Sequence, residues 1–380
     1  MIKVKIKDIE KIKTWYKDSI IKTVMDRDFD HITANDFEEK ITNSLMDETF
    51  CSDILIRSVE EIKVRYAWVK QYIETIDFLE NYSYQRDTIK QIHGKSSRRI
   101  RSQLLAVYIE KNRNDLIDNT IMSHSSTKNI KDGIDHVCSS MSSFDSFIKY
   151  AKKYMEYLNS VFAEKFNYTG VLDKDGIRAE LVKKLNIKVC PYCNRQYINS
   201  ITRVNNTYLG DIDHILPKST YSLFQLSLVN MIPACKACNQ LFKGTKTTPI
   251  LNPYFEGFSG NAFLKINYST VKELIGLNKP GDFYWEIVND KTNKIKNNID
   301  TFQLNEVYKS NSTDFKRIIR IKYLIHSPAY KACISHLLRD GASIFWELFD
   351  ETLLYGVSLD EDKFQDELLS KAIYDIVMYN

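Results

Sequence analysis

Over the first 170 or so residues, apolar side chains return at helical intervals. In LIRSVEEIKVRYAWVKQYIETI, the residues Leu55, Val59, Ile62, Tyr66, Val69, Ile73 and Ile76 follow one another in steps of four and three, which aligns them on one face of a helix. The pattern predicts a core helix of a bundle. A dimeric coiled coil fits it too, because the seam keeps a heptad over about three repeats. Polar stretches interrupt the pattern at GKSSRRIRS, at SHSSTK from Ser123 and at CSSMSSFDS from Cys138, and these predict loops,.

The character of the chain changes at NYTGVLDKDG (Asn167 to Gly176), whose turn residues mark a boundary. A short helix, IRAELVKKL, follows. QYINSITRV and TYLGDIDHI, separated by the turn Asn205-Asn206, then predict a two-stranded ribbon ending at Asp213 and His214,. In SLVNMIPACKACNQLFKGTK, helical spacing sets Asn239 and Lys243 on one face of a short helix stopped by Gly244,. Beyond Pro253, FYWEIV, the polar NDKTN and KIKNNI read as a hairpin. Helices then run to the end, including DEDKFQDELLSKAIYDIVMY with Asp360 as N-cap,. Three segments result: a helical region over 1–170, a small strand and helix core over 171–255, and a mixed hairpin and helical region over 256–380. The expected fold class is α+β, mainly helical.

Composition narrows what this fold can serve. With 380 residues, 43% of them hydrophobic, the chain can fill a large core,. A net charge of +4 does not by itself identify a nucleic-acid binder,, but between Glu180 and Ile250 nine Lys/Arg face three Asp/Glu, a local +6. Outside that segment, Lys95, Arg98, Arg99 and Arg101 either contact phosphates or face solvent,. No apolar run approaches the ~20 residues of a membrane span, and MIKVKIKDIE lacks the apolar core of a signal peptide,. The expected location is the cytoplasm.

Four of the seven cysteines form two C-x-x-C pairs, Cys190 with Cys193 and Cys235 with Cys238. In a reducing compartment such pairs serve better as metal ligands than as disulfides, and four thiolates in tetrahedral array suit a structural Zn²⁺. A redox C-x-x-C is the competing reading. The pairs bracket Asp213 and His214, so zinc would join the two flanking segments without an open coordination position for chemistry. Between and beside the pairs stand residues suited to phosphodiester hydrolysis. Asp213 carboxylate and Asn239 amide oxygen suit a hard cation, Mg²⁺ or Mn²⁺. His214 suits a base near neutral pH. Asn230 is the candidate that orients it, directly or by holding its loop. Asp211, two residues before Asp213 on the same strand face, could support the metal through water. Lys218 and Lys243 are candidates for the phosphate backbone.

CPYC, DIDHILPKS, SLVN and CKACNQLFKG, in that order, resemble the HNH nuclease family of the ββα-metal, or His-Me finger, superfamily over about Lys188 to Lys246. The resemblance implies a zinc-stabilised ββα core with His214 as general base, Asp213 and Asn239 on the catalytic metal, and Asn230 positioning the histidine. It also implies products with a 5′-phosphate and a 3′-hydroxyl. Asn239 departs from the histidine of the family name. CPYCNRQYI and the helical N-terminal half further resemble HNH proteins of bacterial anti-phage systems, the Septu-type and retron-associated nucleases, which implies an ATPase partner. The expectation is therefore a metal-dependent DNA endonuclease, an effector of anti-phage defence and a possible homodimer. Two alternatives are a zinc-stabilised nucleic-acid-binding module that does not cut, and a toxin-like nuclease acting on RNA.

Overall fold

The computed structural model describes residues 1–93, 103, 104, 107, 121, 141–173, 176–198, 201–203, 206–208, 210–274, 283–338 and 351–379. Among them the chain is mainly helical with three two-stranded sheets, and no helix is long and apolar enough to cross a membrane. The cluster Lys95, Arg98, Arg99 and Arg101 and the loop from Ser123 lie outside the described residues. Two compact units form, neither a single stretch of chain. One joins Glu10–Arg178 to Leu216–Met231, and the other joins Met1–Ile9, Ala179–Ile215 and Ile232–Asn380.

The first unit is helical. Helix α1 (Ile9–Met25) buries Ile12, Tyr16, Ile20 and Val24, one per turn. Asn35 caps α2 (Asp36–Met46) by accepting from the N–H groups of Phe37 and Glu38,. The single helix expected through Leu55–Ile76 is instead three: α3 (Glu48–Ile56), α4 (Val59–Arg65) and α5 (Ala67–His93). A capping box starts α4, where Ser58 Oγ accepts from Glu61 N–H and the Glu61 carboxylate accepts from Ser58 N–H,. Extended backbone at Tyr66 ends it, and the Tyr66 hydroxyl donates to Asp53 at 2.9 Å. Burial outlasts the breaks: Leu55, Ile62, Val69, Ile73 and Ile76 all face the core.

The loop expected from Cys138 is helix from Met141 onward, α6 (Met141–Lys165). Serines such as those early in α6 suit the first turn of a helix as well as a loop. Phe162 of α6 packs against Tyr72 and Trp68, with ring centroids 5.3 and 6.0 Å apart. Tyrosines and an asparagine tie this core to Leu216–Met231. Tyr16 donates to Leu226 O at 2.7 Å, Tyr72 to Asn159 Oδ1 at 2.6 Å, Asn159 in turn to Thr220 O at 2.9 Å, and Tyr221 to Asp77 at 2.8 Å. The helices thus anchor the loop that continues the chain from His214.

In the second unit, α7 (Ile177–Leu185) leads into β1 (Ile201–Arg203) and β2 (Asn206–Tyr208), an antiparallel hairpin closed where Arg203 faces Asn206. Strand β3 (Asp211–His214) does not extend this hairpin as expected. It pairs with β4 (Met231–Ala234) in a separate sheet. Gly210 stands between the two: a Cβ there would lie 2.2 Å from Ile198 Cγ2, so any larger residue would force Ile198 to shift. The C-terminal hairpin also differs in its partner. Strand β6 (Phe283–Ile287) pairs antiparallel with β5 (Ala262–Ile266), upstream of it, and KIKNNI is helix α8 (Lys294–Thr301). A spacing of four between Ile295 and Ile299 satisfies both a strand and a helix. Buried Asn298, whose side chain accepts from Leu251 N–H at 2.8 Å, belongs to the helical stripe.

The C-terminal segment is likewise divided. Asp360 caps a 3₁₀ turn (Glu361–Lys363), and the terminal helix α9 (Ser370–Tyr379) begins after Leu369, which has φ +57°. Asn194 starts α9 from a distance: its carbonyl accepts from Leu369 N–H at 2.6 Å and its side chain from Lys371 N–H at 3.0 Å.

Candidate functional site

Both cysteine pairs sit in matching turns. The N–H of Asn194 reaches Cys190 O at 2.7 Å, and that of Asn239 reaches Cys235 O at 3.0 Å, so each turn folds its two thiols to the same side. Tyr308 holds the first turn by donating to Cys193 O at 2.7 Å. The four sulfurs, all buried, lie within 4.8 Å of one another, with Cys193 and Cys235 at 4.0 Å. A tetrahedral ion with ~2.3 Å metal–sulfur bonds needs sulfurs roughly 3.8 Å apart. The group can hold a structural metal such as zinc, and among the described residues it is the one such group of three or more His, Cys, Asp or Glu ligands. Hydrogen bonds from Cys190, then Cys193 and Cys238, hold the Cys235 thiol far below its ordinary value, whereas burial holds Cys190 well above it and hydrogen bonds from the other three cysteines hold Cys238 well above it, so Cys235 is the thiol that most readily gives the thiolate a metal requires.

Adjacent strand β3 carries Asp211, Asp213 and His214, with Asp213 and His214 buried. A π-helix, Ala237–Lys243, begins within the second cysteine pair and carries Cys238, ending at Gly244, where φ is +52°. The bond from Gly244 N–H to Asn239 O, 2.8 Å long, spans five residues and marks the wider turn,. Three side chains of this helix make four hydrogen bonds to β3. Asn239 Nδ2 and Gln240 Nε2 donate to Asp211 Oδ2 at 3.1 and 2.8 Å. Lys243 Nζ donates to Asp213 Oδ1 at 3.0 Å and to the His214 carbonyl at 2.6 Å. The second oxygen of Asp213 accepts from the hydroxyl of Tyr192 at 2.6 Å.

Asp213 and Lys243 are each 3% exposed. Burial pushes the Asp213 carboxyl above its ordinary range, while the Lys243 charge and the bonds from Tyr192 and Lys243 pull it back,. Lys243, expected at the phosphate backbone, is thus a buried partner of Asp213. Lys218 is exposed, with its ammonium 4.8 Å above the ring of Tyr168. Asn239 meets Asp211 through its amide nitrogen. Asn230 is buried in the helical unit, where its oxygen accepts from Leu216 N–H at 2.7 Å and its nitrogen donates to Leu216 O and Phe224 O at 3.1 and 3.0 Å. It closes the loop Leu216–Asn230 at the residue two beyond His214 in the chain.

Sequence reasoning did not find Tyr192 or Gln240. Tyr192 lies inside the CPYC turn, where a reading of the cysteine spacing gives the intervening residues no role. Gln240 adjoins Asn239 but is off its helical face in an ordinary α-helix. Comparison of the chain with models of known protein families, with curated proteins and with solved structures finds no match.

Proposed function

We propose that this chain is a metal-dependent endonuclease of the HNH type, with β3, β4 and the helix Ala237–Lys243 as its ββα-metal core and zinc on Cys190, Cys193, Cys235 and Cys238. The observation that carries the reading is the union of three features. A buried four-thiol cluster flanks a strand, the strand bears Asp213 and His214 side by side, and a helix that carries Cys238 of the second thiol pair reaches back to the same strand through Asn239 and Lys243. The substrate is DNA. The protein serves as an effector of anti-phage defence with an ATPase partner, and paired copies would cut both strands.

Asp213 and Asn239 would hold Mg²⁺ or Mn²⁺, which supplies positive charge to the phosphate and the leaving oxygen. One carboxylate and one amide are donors suited to a hard cation, although Asp213 now accepts from Tyr192 and Lys243 and Asn239 turns its nitrogen toward Asp211. His214 takes the proton of the attacking water. Asn230 holds the loop that follows the histidine, and Lys218 meets the phosphate backbone.

The test is incubation of the purified, zinc-loaded chain with supercoiled plasmid in Mg²⁺ or Mn²⁺, with a chelated control. Nicking that falls by roughly 10²–10⁴-fold in His214→Ala with zinc retained is the expected outcome, the range for loss of a general base. Intact plasmid that still binds the protein would overturn the reading in favour of a zinc-stabilised module that does not cut. The filled hydrogen bonding of Asp213 favours that second reading. Parallel incubation with single-stranded RNA separates the toxin-like alternative.

A further inference from the structure

Lys243 is a cation where a cation is expected, but of the wrong kind. Its ammonium is buried, 3.0 Å from Asp213 Oδ1, and is held a second time by the carbonyl of His214 at 2.6 Å. A charge so placed neutralises Asp213 and repels any second cation brought to the same carboxylate, strongly so away from water. The backbone fits this arrangement. Asn239 opens the Asn239–Gly244 π-turn and Lys243 stands one residue before its close, and the Asn239 amide is drawn off toward Asp211, where Gln240 joins it. The two side chains that would meet at a metal are therefore each engaged by another residue of the chain.

We infer that Lys243 is a built-in counter-ion that locks Asp213, so that a divalent cation binds there only once the ammonium leaves. This rests on the nuclease reading only in taking Asp213 as the ligand of such a cation. The lock makes metal affinity depend on position 243, a residue that need not touch the metal. Glutamine at this position removes the charge while keeping a hydrogen-bond donor. Arginine would keep the charge.

Mn²⁺ binding to the zinc-loaded chain, followed by electron paramagnetic resonance, tests this without recourse to cleavage. Lys243→Gln should bind Mn²⁺ at least about tenfold more tightly than the wild type, the effect of removing one close charge in a partly screened site. Lys243→Arg should stay near the wild type, and Asp213→Asn in the Lys243→Gln background should abolish the gain. A second measurement needs no variant that must fold. Acetylation of the wild-type chain, read by mass spectrometry with exposed Lys218 as reference, should rise severalfold at Lys243 when Mn²⁺ is added. Mn²⁺ bound through Asp213 with unchanged labelling of Lys243 and equal affinity in Lys243→Gln would overturn the lock and leave the metal site standing. No Mn²⁺ binding by either chain would overturn both.

Discussion

Asp213 keeps its place in the interior because two donors from different parts of the chain reach it, Tyr192 from the first cysteine turn and Lys243 from the helix that carries Cys238. A residue at the other extreme is Cys51, fully buried with no metal to serve, whose thiol burial pushes up from the ordinary 9.0 to about 12. The raised value has a definite consequence for stability. Below pH 9 both folded and unfolded chains keep the proton, and as pH rises from 9 toward 12 only the unfolded chain loses it, so stability falls. The advantage of the wild type over Cys51→Ala in urea denaturation should shrink by about 2–3 kcal/mol between pH 8 and pH 11. Parallel curves for the two proteins would show that this thiol ionises equally in both states. At this scale the sequence was readable where type and spacing carry the chemistry, as in the four cysteines that come together. It was not readable for Tyr192, since nothing in a turn residue between two cysteines announces a carboxylate twenty-one positions away.

Among elements, signals written locally compete with signals written by period. The run of apolar positions through Ile76 continues without interruption, yet the backbone breaks at Ser58, where Ser58 and Glu61 satisfy each other's N–H groups at the start of a new helix,. Ser58→Ala should cost about 1 kcal/mol in thermal or urea unfolding, with faster amide exchange at Glu61, and an unchanged midpoint would mean that packing alone defines the start of α4. The box is legible as S-x-x-E, and the period concealed it. Strand pairing is less legible. In β3 nothing distinguishes β4 from the β1–β2 hairpin as the neighbour, because backbone hydrogen bonds are alike in every strand. In the terminal region Asn194 caps α9 across more than 170 residues of chain, a contact with no local trace in either segment.

At the scale of the molecule, each unit is completed by chain that is remote in sequence, Leu216–Met231 in the helical unit and Met1–Ile9 in the other. The second unit contains an ion pair that such assembly makes possible. Lys371 and Asp375 of α9 are buried against β5, where Lys371 donates to Asp375 and to Ala262 O, and Asp375 accepts from Leu264 N–H at 2.9 Å. Burial works against both charges, lowering Lys371 and raising Asp375. Lys371→Met should therefore cost roughly 3–5 kcal/mol by leaving the carboxylate unpaired, and Lys371→Met with Asp375→Asn should recover much of it, because an asparagine amide still accepts from Leu264. Equal losses in calorimetry would mean that the pair acts through packing and not through charge. From sequence alone the mainly helical character, the absence of a long apolar span and the four-cysteine cluster follow, since periodicity, length and ligand type are properties of neighbouring residues. Tertiary structure alone decided that Lys243 turns inward to Asp213, that Asn239 faces Asp211 and that Asn194 begins α9. Those outcomes depend on which donors and acceptors the folded backbone brings within hydrogen-bonding reach, and a polar group removed from water takes whichever partner arrives.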